Sequence, residues 1–159
     1  MNSIFQLVKT IKPLINSGTK LSELRYILNN YNADDIYDYY IKSNPGIYNK
    51  IKLNYTDEND LFEIILISWG VGATSSIHNH PPNGCLMKIL SGDLQENNYN
   101  IINNSLQLTK INNYSKNDIN YIDDKLGYHS IANNTNKIVH SLHIYSPPNF
   151  KIKTFKNII

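Results

Sequence analysis

The sequence predicts a mainly β protein, a small β-barrel or jelly roll under a short N-terminal helical cover, and three observations carry that reading. Apolar residues recur at helical spacing only before residue 46, short apolar or alternating runs fill the rest, and the length suits one core. Ser3 to about Leu14 and Leu21 to Ile41 show the helical period, as in Leu21, Leu24, Leu28 and then Ile36, Tyr39, Tyr40. Pro13, the Asn16-Ser17-Gly18 turn and Asn44-Pro45-Gly46 interrupt and end these helices. From Tyr48 onward, LFEIILISW, CLMKIL, LQENNYNI, SLQLTKI, YHSIAN and IVHSLHIY read as strands. Strands this short and this evenly spaced fit a sandwich or barrel. Residues 1–46 then form a helical segment packed on a barrel of residues 47–159, because so short a helical piece is not stable alone.

A chain of 159 residues that is 41% hydrophobic can bury most of its apolar surface without disulfides or partners, so a monomer is expected. The net charge is +2 and the basic residues are scattered, which gives no footprint for nucleic acid or a membrane surface. A small-molecule partner is favoured instead. The stretch MNSIFQLVKTIKPLINSG lacks the apolar core and cleavage site of a signal peptide, and no apolar run approaches the ~20 residues of a membrane span. The single cysteine, Cys85, cannot form an internal disulfide, which agrees with a cytoplasmic location.

The segment from Gly72 to Gly92 holds the strongest chemical signal. His78 and His80 are two residues apart, and in a strand such residues face the same side, so both imidazoles can reach one metal ion at about 2.1 Å. His129, at the start of a later strand, is the natural third ligand, because closing a barrel brings distant strands side by side. Three neutral nitrogens leave coordination positions open. A structural zinc site is closed by a fourth protein ligand, so this set reads as catalytic.

Gly72-x5-His78-x-His80-x4-Cys85-x6-Gly92 resembles the first motif of the cupin superfamily, with Cys85 where most cupins place a glutamate ligand. His129-x3-Asn133 is similar to the end of the second cupin motif. The cysteine resembles the cysteine dioxygenase branch in particular. Trp69-Gly70 followed by Ser75-Ser76-Ile77-His78-Asn79-His80, and Ser141-Leu-His143-Ile-Tyr145-Ser-Pro-Pro148, look like that family's signatures. The resemblance implies a single cupin holding Fe(II) on His78, His80 and His129, and oxidation of L-cysteine by O2 to cysteine sulfinate. It also implies a thioether between Cys85 and Tyr145, with Ser141 and His143 orienting that tyrosine and the bound substrate, and a cis bond before Pro147. Alternation alone puts residues 141, 143 and 145 on one strand face and His140 on the other, where it is structural or solvent-facing.

The chain departs from the family at one place. The resemblance implies a Tyr-x-Arg pattern that holds the substrate carboxylate, but the only arginine here, Arg25, falls in a predicted helix. The matching stretch is Tyr48-Asn49-Lys50-Ile51-Lys52: alignment on Tyr-x-Arg selects Lys50, whereas gapless counting back from Trp69 selects Lys52. Both lysines share a strand face, and either offers a point charge in place of a bidentate fork. Tyr48 and Trp69 pack the core or wall the pocket. The runner-up function is a dioxygenase for 3-mercaptopropionate or cysteamine. A metal-dependent cupin isomerase or a non-catalytic binding cupin ranks behind both.

Overall fold

The structure is a computed structural model, and it describes residues 1–40, 42–53 and 61–156. Ile41, where the sequence places the end of the last helix, lies outside these.

Helix α1, Ile4–Asn16, starts at Ser3, whose hydroxyl accepts a hydrogen bond from the Gln6 N–H, and buries the stripe Ile4, Leu7, Val8, Ile11, Ile15. The sequence predicts a break at Pro13, yet the helix runs through it. Proline removes one hydrogen bond here, but only three residues follow, and buried Ile15 anchors that last turn. The chain then turns at Gly18, at φ +92°. A 3₁₀ turn at Leu21–Leu24 leads into α2, Arg25–Asn29, and a second follows at Ile36–Tyr39.

The strands are β1 Tyr48–Lys52, β2 Glu63–Trp69, β3 Ile77–His78, β4 Cys85–Ser91, β5 Asp93–Ile102, β6 Ser105–Ser115, β7 Ile119–Ile122, β8 Tyr128–Ala132, β9 Val139–Tyr145 and β10 Thr154–Phe155. Among the described residues they form two five-stranded antiparallel sheets, ordered β1-β2-β9-β4-β7 and β10-β3-β8-β5-β6. Strands β7 and β10 are too short for a periodic signal, and the sequence reading passes over them; it places His78 and His80 on one strand, but β3 ends at His78 and His80 lies just beyond it.

The central strands of the first sheet, β2, β9 and β4, are buried on both faces, which explains their unbroken apolar runs. Ile64 and Leu66 of β2, Leu86 of β4, and Leu142 and Ile144 of β9 pack outward against α1, α2 and Phe62. Ile67, Trp69, Met87, Ile89 and Val139 pack inward against Leu94 and Ile131 of the second sheet. His140 faces outward as alternation requires, but it is buried: its ring stacks on Tyr40 at 3.6 Å and its Nδ1 meets the Ser91 hydroxyl at 3.0 Å.

Lys88 also faces the helical cover and is 2% exposed. Its ammonium donates to the carbonyls of Leu28, Asn29 and Tyr31 at 3.0, 3.3 and 2.6 Å. These sit at the end of α2, where backbone acceptors lack partners and a cation is favoured. Lys88→Met strands those acceptors in an apolar layer. The expected cost is about 2–3 kcal/mol, read as a melting temperature lower by roughly 4–12 °C.

Candidate active site

Register places the inward side chains in rows across the first sheet. Glu63 stands opposite Tyr145, and Tyr145 opposite Cys85. The next row runs Lys52, Ile65, His143, Met87, and the one below it Lys50, Ile67, Ser141, Ile89. Cys85 and Tyr145 are thus direct neighbours on adjacent strands, closer than a span of the barrel. The second sheet supplies the histidines facing them: His78 on β3 is paired with His129 on β8, and His80 follows two residues after His78.

The three imidazoles converge through their Nε2 atoms. His80 Nε2 lies 3.0 Å and His78 Nε2 3.2 Å from His129 Nε2, and among the described residues these three are the group able to share an ion. Separations near 3 Å are those of nitrogens each about 2.1 Å from one ion. The opposite ring nitrogens are turned to acceptors: His129 Nδ1 to Glu96 Oε1 at 2.7 Å, and His78 Nδ1 to the Ser76 carbonyl at 2.8 Å. Those bonds place the protons on Nδ1 and leave Nε2 lone pairs aimed at a common point. Burial, together with the neighbouring His129, pushes the pKa of His78 down to about 3 and that of His80 to about 2, so both rings stay neutral. Neutral donors with their lone pairs crowded together fit a bound cation. The His80 ring is the least tethered. Asp124 Oδ1 accepts from the His80 backbone N–H at 2.6 Å and lies 3.5 Å from Nδ1, too far for a sound hydrogen bond, so that buried nitrogen is unpartnered.

Glu96 was not foreseen. It is 1% exposed, and besides His129 it accepts from Asn112 at 3.0 Å, Tyr114 at 3.0 Å and Asn120 at 2.8 Å. Burial pushes its pKa up, but the hydrogen bonds from His129, Asn112 and Tyr114 outweigh this and hold the carboxylate below its usual range. A carboxylate that fixes the tautomer and tilt of a metal-binding imidazole is a recurrent feature of metal sites. One sequence signal could have found it: Glu96 is in phase with apolar Leu94 on a barrel strand, an inward position where a lone acid is costly.

On the facing sheet, the Trp69 indole N–H donates to Ser141 Oγ at 2.8 Å, and Ser141 Oγ lies 2.8 Å from His143 Nε2. With the hydroxyl donating onward to Nε2, the His143 proton sits on Nδ1, which faces the Tyr145 hydroxyl at 3.4 Å and Cys85 Sγ at 3.7 Å. Burial pushes the Cys85 thiol up to about 12 and the Tyr145 phenol well above its ordinary value, so both keep their protons. Burial also holds His143 well below the usual histidine range, and it stays neutral.

A pocket of about 40 Å³ opens onto the histidines between the sheets, and Tyr48, Lys50, Trp69, His143 and Tyr145 line it. The Tyr48 ring tilts against Trp69 at 4.8 Å between centroids, and Lys50 Nζ lies 5.5 Å from the Tyr48 ring centre. Burial lowers the Lys50 pKa, opposed by nearby Cys85 and Glu63. Lys52 does not line the pocket. One row nearer the rim, it is held by Glu63 at 3.1 Å and Asn149 at 3.0 Å. Of the two lysines that alternation leaves equivalent, Lys50 is the one that lines the pocket. Asn133 is a brace: its amide donates to the carbonyls of Trp69, Gly70 and Lys137. The bond between Ser146 and Pro147 is cis.

The family model of cysteine dioxygenase type I matches residues 2–158. This chain belongs to the cysteine dioxygenase type I family. A cysteine dioxygenase type 1 from Danio rerio is 32% identical over 158 residues, covering 94% of this chain and 77% of that protein. Its Homo sapiens counterpart is 31% identical over 135 residues, covering 80% and 66%. With the Rattus norvegicus protein the identity is 35% over 101 residues, and the match spans half of that protein's length. The fold has wider company. A double-stranded beta-helix protein from Klebsiella pneumoniae superposes with a TM-score of 0.58 at 16% identity, over 76% of this chain and 94% of that one. An oxalate oxidase in complex with the substrate analogue glycolate superposes at 0.56 and 15% identity, over 70% and 57%. A cupin superfamily protein from Desulfitobacterium hafniense gives 0.50 at 17%, over 67% and 83%. The expected cupin architecture is therefore the one found. No helix among the described residues is long and apolar enough to cross a membrane.

Proposed function

We propose that this chain is an iron-dependent thiol dioxygenase that converts L-cysteine and O2 to cysteine sulfinate. The observation that carries the proposal is the facing of two sets across one small pocket: three converging histidine Nε2 atoms on one side, and Ser141, His143, Tyr145 and Cys85 on the other. A ferrous ion on His78, His80 and His129 supplies open positions at which a soft thiolate and O2 can meet. The chain's own residues do the placing. Lys50 meets the substrate carboxylate, and Tyr48 and Trp69 wall the cavity on that side. Tyr145 keeps its proton, and its hydroxyl donates a hydrogen bond to the substrate. His143, anchored through Ser141 to the Trp69 indole, fixes where that hydroxyl points. In the overall reaction R–SH and O2 give R–SO2H. Both oxygen atoms end on sulfur and no further reductant is consumed.

Cys85 and Tyr145 carry the second part of the proposal. Cross-strand neighbours of this kind, Cys85 buried and Tyr145 half-buried beside His143, support a thioether between Sγ and the ring carbon next to the hydroxyl. Forming it removes one hydrogen from each partner, with O2 as the acceptor. The expected sign in protein that has turned over with iron and thiol is an intact mass about 2 Da below the unmodified value, one hydrogen lost at each end of the bond. A linked peptide should appear after digestion. Cys85→Ser should abolish both signs and keep partial activity, because the tyrosine still occupies its pocket. Unmodified Cys85 after turnover argues against the crosslink.

A second reading is favoured by Lys50 itself: a point charge grips a carboxylate less specifically than a guanidinium fork, which opens the site to cysteamine or 3-mercaptopropionate. Oxygen uptake by the iron-loaded chain with the three thiols in parallel tests both readings. Sulfinate formed one-for-one with O2 supports the class of reaction, and the fastest thiol names the substrate. No uptake with any of them removes the proposal.

A further inference from the structure

Beside the histidine pocket lies a second compartment of about 100 Å³ whose lining shares Lys50, His78, Tyr145 and Ile152 with it. Ile65, Phe150 and Glu63 line the rest of that compartment's wall. Glu63 stands directly opposite Tyr145 across β2 and β9, so strand alternation turns it to the same inner face. Its side chain is 9% exposed, whereas that of Lys52, which meets Oε2 at 3.1 Å, is 45% exposed. Lys52 is thus the solvent-side partner of Glu63, and it is not among the residues that line the compartment. One small space thus has a cation, Lys50, and an anion, Glu63, in its wall.

We propose that Glu63 makes this pocket select aminothiols, its carboxylate accepting a hydrogen bond from the substrate's amine while Lys50 meets the carboxylate where there is one. The inference rests on the thiol dioxygenase reading and names the substrate class within it. An amine, protonated or neutral, brings N–H donors to Glu63, and a methylene in the same place brings none. A thiol acid without an amine offers Glu63 no donor and sets a second anion beside a buried carboxylate whose ion-pair partner is Lys52 at the rim, so the site disfavours that ligand as well as favouring the other. The bland alternative is a rim ion pair between Lys52 and Glu63, a type of contact that contributes little. It gives Glu63 no reason to distinguish between thiols.

The test compares cysteine, cysteamine and 3-mercaptopropionate on the iron-loaded wild type, Glu63→Gln, Glu63→Leu and Lys52→Met. Each is read twice, as kcat/KM and as the dissociation constant under nitrogen. Glu63→Gln removes the charge at constant shape and should lower the preference for cysteamine over 3-mercaptopropionate by roughly tenfold, the scale of one charge-assisted contact. Glu63→Leu, which removes the acceptor too, should lower it further. Lys52→Met should move the preference by less than twofold. Equal losses on all three thiols in Glu63→Gln overturn the inference in favour of a structural role, and a Lys52→Met effect as large as that of Glu63→Gln reduces it to the ion pair. A wild type that oxidises none of the thiols overturns the dioxygenase reading instead, and the anaerobic affinities then decide the role of Glu63 on their own.

Discussion

His129→Ala is expected to leave the purified chain almost without iron and without measurable oxygen uptake, whereas Glu96→Ala, two atoms further from the ion, should weaken iron binding by about 10–100-fold. The first effect is severe because the other two nitrogens both converge on His129 Nε2, and among the described residues no fourth histidine, cysteine or acid joins their group. Glu96 acts through the imidazole. Without it the His129 Nδ1 proton loses its 2.7 Å acceptor, the ring is free to turn, and Asn112, Tyr114 and Asn120 lose the group they all donate to. Glu96→Gln separates placement from folding. Its amide oxygen still accepts from Nδ1, so it should restore most of the iron affinity lost in Glu96→Ala. Metal analysis and an iron titration followed by tryptophan fluorescence check the series. Full iron in His129→Ala removes the third-ligand assignment, and equal affinities in Glu96→Ala and wild type remove the positioning role.

The contrast between these two residues shows what the sequence made legible. His78 and His80 announce themselves by two-residue spacing between flanking glycines, and His129 by its place in a second motif, so the three-histidine group that could hold an ion was legible without coordinates. Glu96 has no local partner: the residues that justify it lie 16 to 33 positions away, and only the closing of β5 against β6 and β8 brings them together. The strands were legible for the same reason as the histidines. Runs such as EIILISW and CLMKIL carry their signal within seven residues. Which of their faces the helical cover meets was not, because a strand buried on both faces has no polar side to tell the helices from the pocket. Pro13 misled by a related route. A local rule marks it as a break, but tertiary burial of Ile15 holds the turn that follows. Lys50 and Lys52 are equivalent by alternation, and only their depth along β1 separates them, which depends on Glu63 and Asn149 waiting at the rim.

That difference in depth gives the substrate prediction its control. Lys50→Met should lower kcat/KM for cysteine by about tenfold to a hundredfold, the scale of one lost charge-assisted contact, chiefly through KM. The same substitution should hardly affect cysteamine, which has no carboxylate for Lys50 to meet. It should weaken 3-mercaptopropionate as much as cysteine, the reverse of the pattern expected at Glu63, so the two ends of the substrate can be assigned separately. Lys52→Met, at the neighbouring inward position but outside the pocket, should lower kcat/KM for no thiol by more than about twofold, as befits an exposed ion pair. Lys50→Arg restores a planar fork, and it should tighten cysteine while leaving cysteamine unchanged, since the added hydrogen bond has geometry only a carboxylate can match. Equal losses on cysteine and cysteamine in Lys50→Met mean that the lysine supports the fold of β1 and not the ligand. A Lys50→Met chain that handles all three thiols like wild type means that the carboxylate is held elsewhere, and Lys50 then loses its substrate role.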